Sequence, residues 1–266
     1  MPPECSFGHL AGLGARLIDR AYTAYVALGA LRRPKGFRTA PDGLPLPPPR
    51  LIATVAGTPD ADWFLESGRR AARAIREALD RQNAELGRLD SILDFGCGCG
   101  RVVRHWAGLN GVAVSGSDYN PGLVRWCRQN LPFARFEVNG LEPPLAFDSD
   151  SFDLVYALSV FTHLPEATQR RWLEEFRRVL RPRGHLLLTT HGAAYRNRLH
   201  ADERERFDAG ELVVRRERLA GTNLCTTFHP ESYVRNRLAP ELELIAFVPE
   251  GATGNPHQDL VLLRRG

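Results

Sequence analysis

Apolar positions along the chain fall into two recurring patterns. Short, nearly continuous apolar runs that end in a polar or acidic residue alternate with longer stretches whose apolar positions return every three or four residues. The first pattern predicts parallel strands buried on both faces, and the second predicts amphipathic helices laid against them. Strands are expected at 91–95, 111–118, 133–138, 152–159, 184–190, 242–248 and 259–263. Helices are expected after the glycines at 96–100, through Arg69, Ala72, Ile75 and Leu79, and over 121–131, 166–180 and 231–238. Thr58-Pro59-Asp60 is a start signal for the helix that follows it. Asn120-Pro121-Gly122 is another, because proline in a first helical turn lacks only an N–H that would have no partner there. The alternation implies an α/β domain on a mostly parallel sheet. Residues 51–57 read as a short strand or extended segment, and the prolines between 41 and 49 as an extended linker.

The chemistry gathers at the first strand. Ser91-Ile92-Leu93-Asp94-Phe95 runs straight into Gly96-Cys97-Gly98-Cys99-Gly100-Arg101. Three glycines at alternate positions let the backbone take positive φ and let a ligand press against the main chain. About twenty residues on, a second strand ends at Asp118, where an acid accepts hydrogen bonds from the ribose of an adenosine ligand. A dinucleotide fold would want Gly-x-Gly-x-x-Gly with diphosphate at the helix start. Here an acid, Asp94, stands beside the loop, which repels phosphate and suits a cationic amino-acid tail.

With these residues the chain resembles the class I S-adenosylmethionine-dependent methyltransferases. The segment 93–101 resembles their first motif, Asp118 their ribose acid, and Phe152-Asp153 with 159–164 their fourth motif. The resemblance implies a Rossmann-like seven-stranded, mostly parallel sheet with helices on both faces and the last strand antiparallel. It implies S-adenosyl-L-methionine as cofactor, leaving as S-adenosyl-L-homocysteine, held by Asp94, Gly96, Cys97, Gly98, Arg101, Asp118, Tyr119, Asn139, Gly140, Leu141 and Ser159. Asn139 takes the place of the acid that family members often offer to the adenine amino group. Arg183 stands where the family usually has a second glycine. A leading helix lies over the cofactor pocket in the family, which brings Trp63 and Phe64 into consideration beside their simpler reading as core. Outside 90–192, the Thr-Phe-His-Pro-Glu-x-Tyr segment at 227–233 and Gln258-Asp259-Leu260 resemble bacterial methyltransferases associated with polysaccharide or specialised-metabolite assembly.

The 266 residues suffice for one large domain with extensions. We divide them into an N-terminal helical and proline-rich extension, 1–57, and a methyltransferase domain, 58–266, with an insertion at about 194–223. Hydrophobic residues make up 43% and charged residues 25%, the proportions of a globular chain. The net charge of +4 comes from scattered arginines without a compact basic block, which disfavours a nucleic-acid partner. Residues 7–31 are apolar, but Arg16, Asp19 and Arg20 interrupt them, so an amphipathic helix is expected rather than a transmembrane segment. The cysteines, Cys5, Cys97, Cys99, Cys127 and Cys225, show no C-x-x-C pair, which points to a reducing, cytoplasmic setting and to no zinc site.

Methyl transfer asks the protein to align nucleophile, methyl carbon and sulfur and to exclude water. A hydroxyl acceptor must also lose a proton. His163, His191 and His229 sit at predicted strand exits and are the candidate bases, His163 first because it follows the central strand. Taken singly, each is better read as a hydrogen-bonded loop residue. Tyr195, Tyr233 and His257 are weaker pocket candidates, and Asn255-Pro256-His257 reaches toward the site. The expected acceptor is a small molecule or glycan precursor methylated on oxygen. An NAD-dependent oxidoreductase of Rossmann type and a non-catalytic cofactor-binding module are the alternatives.

Overall fold

The computed structural model describes residues 39–266. The helix expected over 7–31, the basic residues 32–35 and Cys5 lie outside the described residues. The remaining chain builds a seven-stranded sheet of order β3-β2-β1-β4-β5-β9-β8, where β1 is Ser91–Phe95, β2 Ala113–Asp118, β3 Arg135–Val138, β4 Phe152–Ala157, β5 Leu180–Thr190, β8 Glu243–Val248 and β9 Asp259–Arg264. Neighbours from β3 to β5 are parallel, and β9 runs antiparallel to both β5 and β8. The expected mostly parallel sheet with its last strand antiparallel is therefore present.

Alternation along the strands explains their unbroken apolar runs. Ile92, Leu154, Tyr156 and Leu187 belong to one core with α1 (Pro49–Ala56), α2 (Ala61–Asp80) and α3 (Pro121–Asn130). Leu93, Val155, Leu186 and Leu188 belong to the other core with α4 (Glu166–Val179) and the helical segment that begins as α6 (Glu231–Tyr233). Both faces of the sheet are covered, so neither can be polar. Strand order reverses between β1 and β4, and the carboxyl ends of these strands open the crevice where such sheets bind ligands.

Three local readings need correction. Residues 49–56 form helix α1 instead of an extended segment: Pro49 occupies the first turn, and Gly57, at φ 68°, closes the helix by donating its N–H to the Ala53 carbonyl. Proline breaks a helix interior but is suited to a helix start, and Gly just past the end is the matching stop. The helix expected after the glycine loop is only a 3₁₀ turn, Val103–Trp106. There Arg104 is buried against Asp42, with Nε 2.6 Å from Oδ2. Strand β5 begins at Leu180, ahead of the expected 184, and shifts its register against β4 between Leu180 and His185.

That shift places Arg183 at φ 66°, the left-handed region. A non-glycine residue there costs about 1–2 kcal/mol, partly offset by the extra chain entropy that glycine loses on folding. Arg183→Gly is accordingly expected to raise stability by about 0.5–1 kcal/mol, read as a higher midpoint in urea unfolding. A lower midpoint would mean that the arginine side chain contributes more than its backbone costs.

The insertion carries α5 (Ala201–Asp208) and a short strand β6 (Val213–Arg215), which pairs antiparallel with β7 (Thr226–Phe228) as a separate two-stranded sheet. His191, just past β5, bridges to Phe228 and ties this small sheet to the large one.

Candidate active site

The turn after β1 forms one wall of a cavity of about 420 Å³. Gly98 adopts φ 57°, and a Cβ there would come 2.7 Å from Val55 Cγ2 of α1, so only glycine lets the helix lie on the loop. Asp118, at the end of β2, fixes the loop from the other side. Its Oδ2 accepts from the Gly98 amide at 2.9 Å and its Oδ1 from the Asn120 amide at 2.8 Å. Burial still pushes its carboxyl up to about 6. Asp94, at the end of β1, is buried as well, and loss of water raises it to about 7 against the pull of the Tyr156 hydroxyl and the Arg101 guanidinium. Its Oδ2 has no hydrogen-bond partner among the described residues. Asn139, just beyond β3, donates Nδ2–H to the Gly140 carbonyl at 2.7 Å and leaves its buried Oδ1 without a partner. Two orphaned oxygens on one cavity wall ask for donors from a ligand.

Every residue expected to hold a cofactor, from Asp94 through Ser159, lines this cavity. Arg101 does so while its guanidinium donates to Gly254 O (3.2 Å) and Asn255 Oδ1 (3.0 Å), which ties the glycine loop to the β8–β9 connection. Trp63 lines the cavity; Phe64 is fully buried in the core. Asn255, Pro256 and His257 reach the wall as expected. Sequence reasoning missed Thr54, Val55 and Ala56 of α1, Ser67 of α2, and Arg198 and Asn223 of the insertion. For α1 the signal was present in the Pro49 to Gly57 bracket.

The three histidines separate clearly. His163 ends the 3₁₀ turn Phe161–His163 after β4 and lines the cavity. Its Nδ1 lies 2.7 Å from the Cys225 carbonyl. A carbonyl only accepts, so Nδ1 carries the proton and Nε2 keeps the lone pair. Burial lowers the ring's pKa below its ordinary value and keeps it neutral at pH 7. His191 stands behind, edge-on to His163 at 6.4 Å and packed on Tyr195 at 4.0 Å between centroids. It does not line the cavity, and burial drives it down to about 3. His229 is fully buried, with Nε2 3.2 Å from Gln169 Oε1, and burial holds it at about 3. Neither lines the cavity; His191 Nε2 lies 3.4 Å from Nε2 of Gln258, which does. Tyr195 lines the cavity, while Tyr233 points its hydroxyl at Glu166 Oε1, 3.0 Å away.

Ser159 completes the wall in the left-handed region at φ 58°. Its amide donates to Thr189 Oγ1 at 2.7 Å and its Oγ accepts from Gln258 Nε2 at 3.0 Å. The strained exit of β4 is thus held by β5 on one side and β9's approach on the other.

Residues 92–184 match the family described as a methyltransferase domain. Among curated proteins, the chain is 31% identical over 139 residues to methyltransferase GfsG of Streptomyces halstedii, covering 48% of this chain and 45% of that protein. It is 37% identical over 101 residues to the phthiotriol/phenolphthiotriol dimycocerosates methyltransferase of Mycobacterium leprae, covering 36% of this chain and 35% of that protein. The chain therefore spans less than half the length of either relative. Among solved structures, an S-adenosylmethionine dependent methyltransferase from Mesorhizobium loti superposes with a TM-score of 0.54 at 21% identity, over 72% of this chain and 98% of that one. Residues 92–184 thus match a methyltransferase domain, and the sheet they help to build has the fold seen in that S-adenosylmethionine dependent methyltransferase.

Proposed function

We propose that the chain is an S-adenosylmethionine-dependent methyltransferase that methylates an oxygen of a small molecule or glycan precursor. The observation that carries this reading is the pair of buried, partnerless oxygens, Asp94 Oδ2 and Asn139 Oδ1, on the wall that holds Asp118. Asp94 would take the ammonium of the methionine tail, Asp118 the ribose hydroxyls and Asn139 the adenine amino group. A buried acid beside the loop disfavours a diphosphate, and with it the NAD reading. When bound, the cofactor supplies an electrophilic methyl group on a positively charged sulfur. His163 Nε2 takes the proton of the acceptor hydroxyl, and the covering residues of α1 and the β8–β9 connection exclude water. Among the described residues no helix is long and apolar enough to cross a membrane. The described cysteines are all free thiols, which supports a reducing, cytoplasmic setting.

Isothermal titration with S-adenosylhomocysteine and with NADH tests the assignment: the first is expected to bind and the second not. The affinity is also expected to depend on pH. Asp94 titrates at about 7 in the free protein and must lose its proton before it can face an ammonium. Affinity therefore rises with pH up to about 7 and, below it, falls by up to about tenfold per pH unit. Titrations at pH 5.5, 6.5 and 7.5 would show this, and equal affinities at all three would remove Asp94 from the contact.

A further inference from the structure

We propose that the methyl acceptor carries an oxyanion, a carboxylate or a phosphate, and that Arg198 receives it. This rests on the methyltransferase reading above and adds the charge of the substrate to it. The ionisable groups around the cavity are unevenly distributed. Asp94 and Asp118 belong to the glycine-loop side, and the guanidinium of Arg101 is committed to Gly254 and Asn255. Arg198 lines the same cavity from the insertion. Its guanidinium carbon lies 4.7 Å from the Tyr195 ring centroid; Tyr195 packs on His191, which in turn meets His163 edge-on. This chain of contacts links Arg198 to His163, the proposed proton acceptor.

Arg198 differs from its neighbours in where it stands. Within the same segment Arg196 closes on Asp208, Arg206 on Glu211 and Arg215 on Glu203, and of the arginines there without such a partner, Arg198, Arg204, Arg216 and Arg218, Arg198 alone lines the cavity, at its solvent-exposed side. Among the described residues Arg198 has no carboxylate partner and donates no side-chain hydrogen bond; only the face of Tyr195 holds it. A guanidinium stacked on an aromatic ring keeps its N–H edge free, and that planar edge fits two oxygens of one carboxylate or phosphate. The cavity has no use for a spare cation if the acceptor is neutral, and a cationic acceptor would be repelled. An oxyanion gains a charge-assisted pair and is drawn toward the site as it approaches.

The test uses the purified chain saturated with S-adenosylhomocysteine. Benzoate, inorganic phosphate and neutral benzamide are titrated at fixed ionic strength against wild type, Arg198→Ala and Arg198→Lys, with binding followed by ligand-observed NMR. At least one anion is expected to bind wild type and to lose about tenfold or more on Arg198→Ala. Arg198→Lys is expected to fall between, because it keeps the charge and loses the fork. Benzamide should not distinguish the proteins, and the preference between benzoate and phosphate identifies which oxyanion the acceptor carries. The proposal is overturned if neither anion distinguishes wild type from Arg198→Ala. It is equally overturned if Arg198→Ala weakens S-adenosylhomocysteine itself by the same factor, since the arginine would then serve the cofactor's own carboxylate. Failure of S-adenosylhomocysteine to bind wild type would sink the underlying methyltransferase reading, and it is seen before any anion is added.

Discussion

His163→Gln is expected to lower kcat for methyl transfer by about a hundred- to ten-thousandfold, the span usual for a lost general base. Affinity for S-adenosylhomocysteine should stay within about twofold of wild type, because the assignment gives His163 a contact to the acceptor and not to the cofactor. Glutamine is the informative replacement. Its amide can still donate to the Cys225 carbonyl that His163 Nδ1 now meets at 2.7 Å, so the insertion stays anchored while the basic nitrogen is lost. The pH profile separates this from a merely structural effect. Burial depresses the pKa of His163 below its ordinary 6.5, so at saturating cofactor the wild-type kcat should reach its plateau by neutral pH. The variant should lose that acidic limb along with the rate. If kcat is unchanged with an accepted substrate, the proton is taken elsewhere or no proton needs to be taken.

Asp118→Ala should weaken S-adenosylhomocysteine by about a hundredfold or more, since hydrogen bonds to a charged group contribute about 1.5–3 kcal/mol each and a ribose offers two. A second loss accompanies it. The Gly98 and Asn120 amides both lose their acceptor, so the ligand-free variant should melt lower, by the equivalent of about 1–3 kcal/mol. The stability cost is moderated because burying this carboxylate is itself unfavourable, as its rise to about 6 records. Asp118→Asn retains one acceptor oxygen without the charge and turns its NH2 toward the other backbone amide, so it is expected to recover only part of the melting temperature and little of the affinity. Titration calorimetry and thermal unfolding on the same samples read both quantities. An undiminished affinity in Asp118→Ala would show that the adenosine does not lie across the first two strand ends.

Much of this was legible in the residues themselves. Buried parallel strands such as Ser91–Phe95 and Phe152–Ala157 announce themselves because both faces must be apolar, and the glycine turn because so few residues tolerate its backbone. Asp94 and Asp118 were legible because a strand that ends in an acid has few reasons to do so. What escaped was set by tertiary placement. Pro49 was weighed as a breaker when its position at a helix start made it an initiator. Arg104 enters the core only because Asp42, sixty-two residues earlier, is there to meet it. His163, His191 and His229 are equivalent in sequence, each just past a strand, and only the side chains around them decide that one lines the cavity and two are sealed in packing. Arg198 carried no signal at all, since an arginine of the insertion looks like any other until one of them is seen to line the cavity.

The cavity's wall is assembled from distant parts of the chain: α1 before the matched region, and Tyr195, Arg198 and residues 255–258 after it. The stretch that the family model matches, 92–184, thus carries most of the residues proposed to hold the cofactor together with His163, while much of what an acceptor would meet on that reading comes from segments the match does not include. On the proposed reading, kinship inferred from that matched stretch transfers one half of a bisubstrate pocket. The natural recipient has to be sought from the shape and charge of the other half, and a relative's product is a poor guide to it.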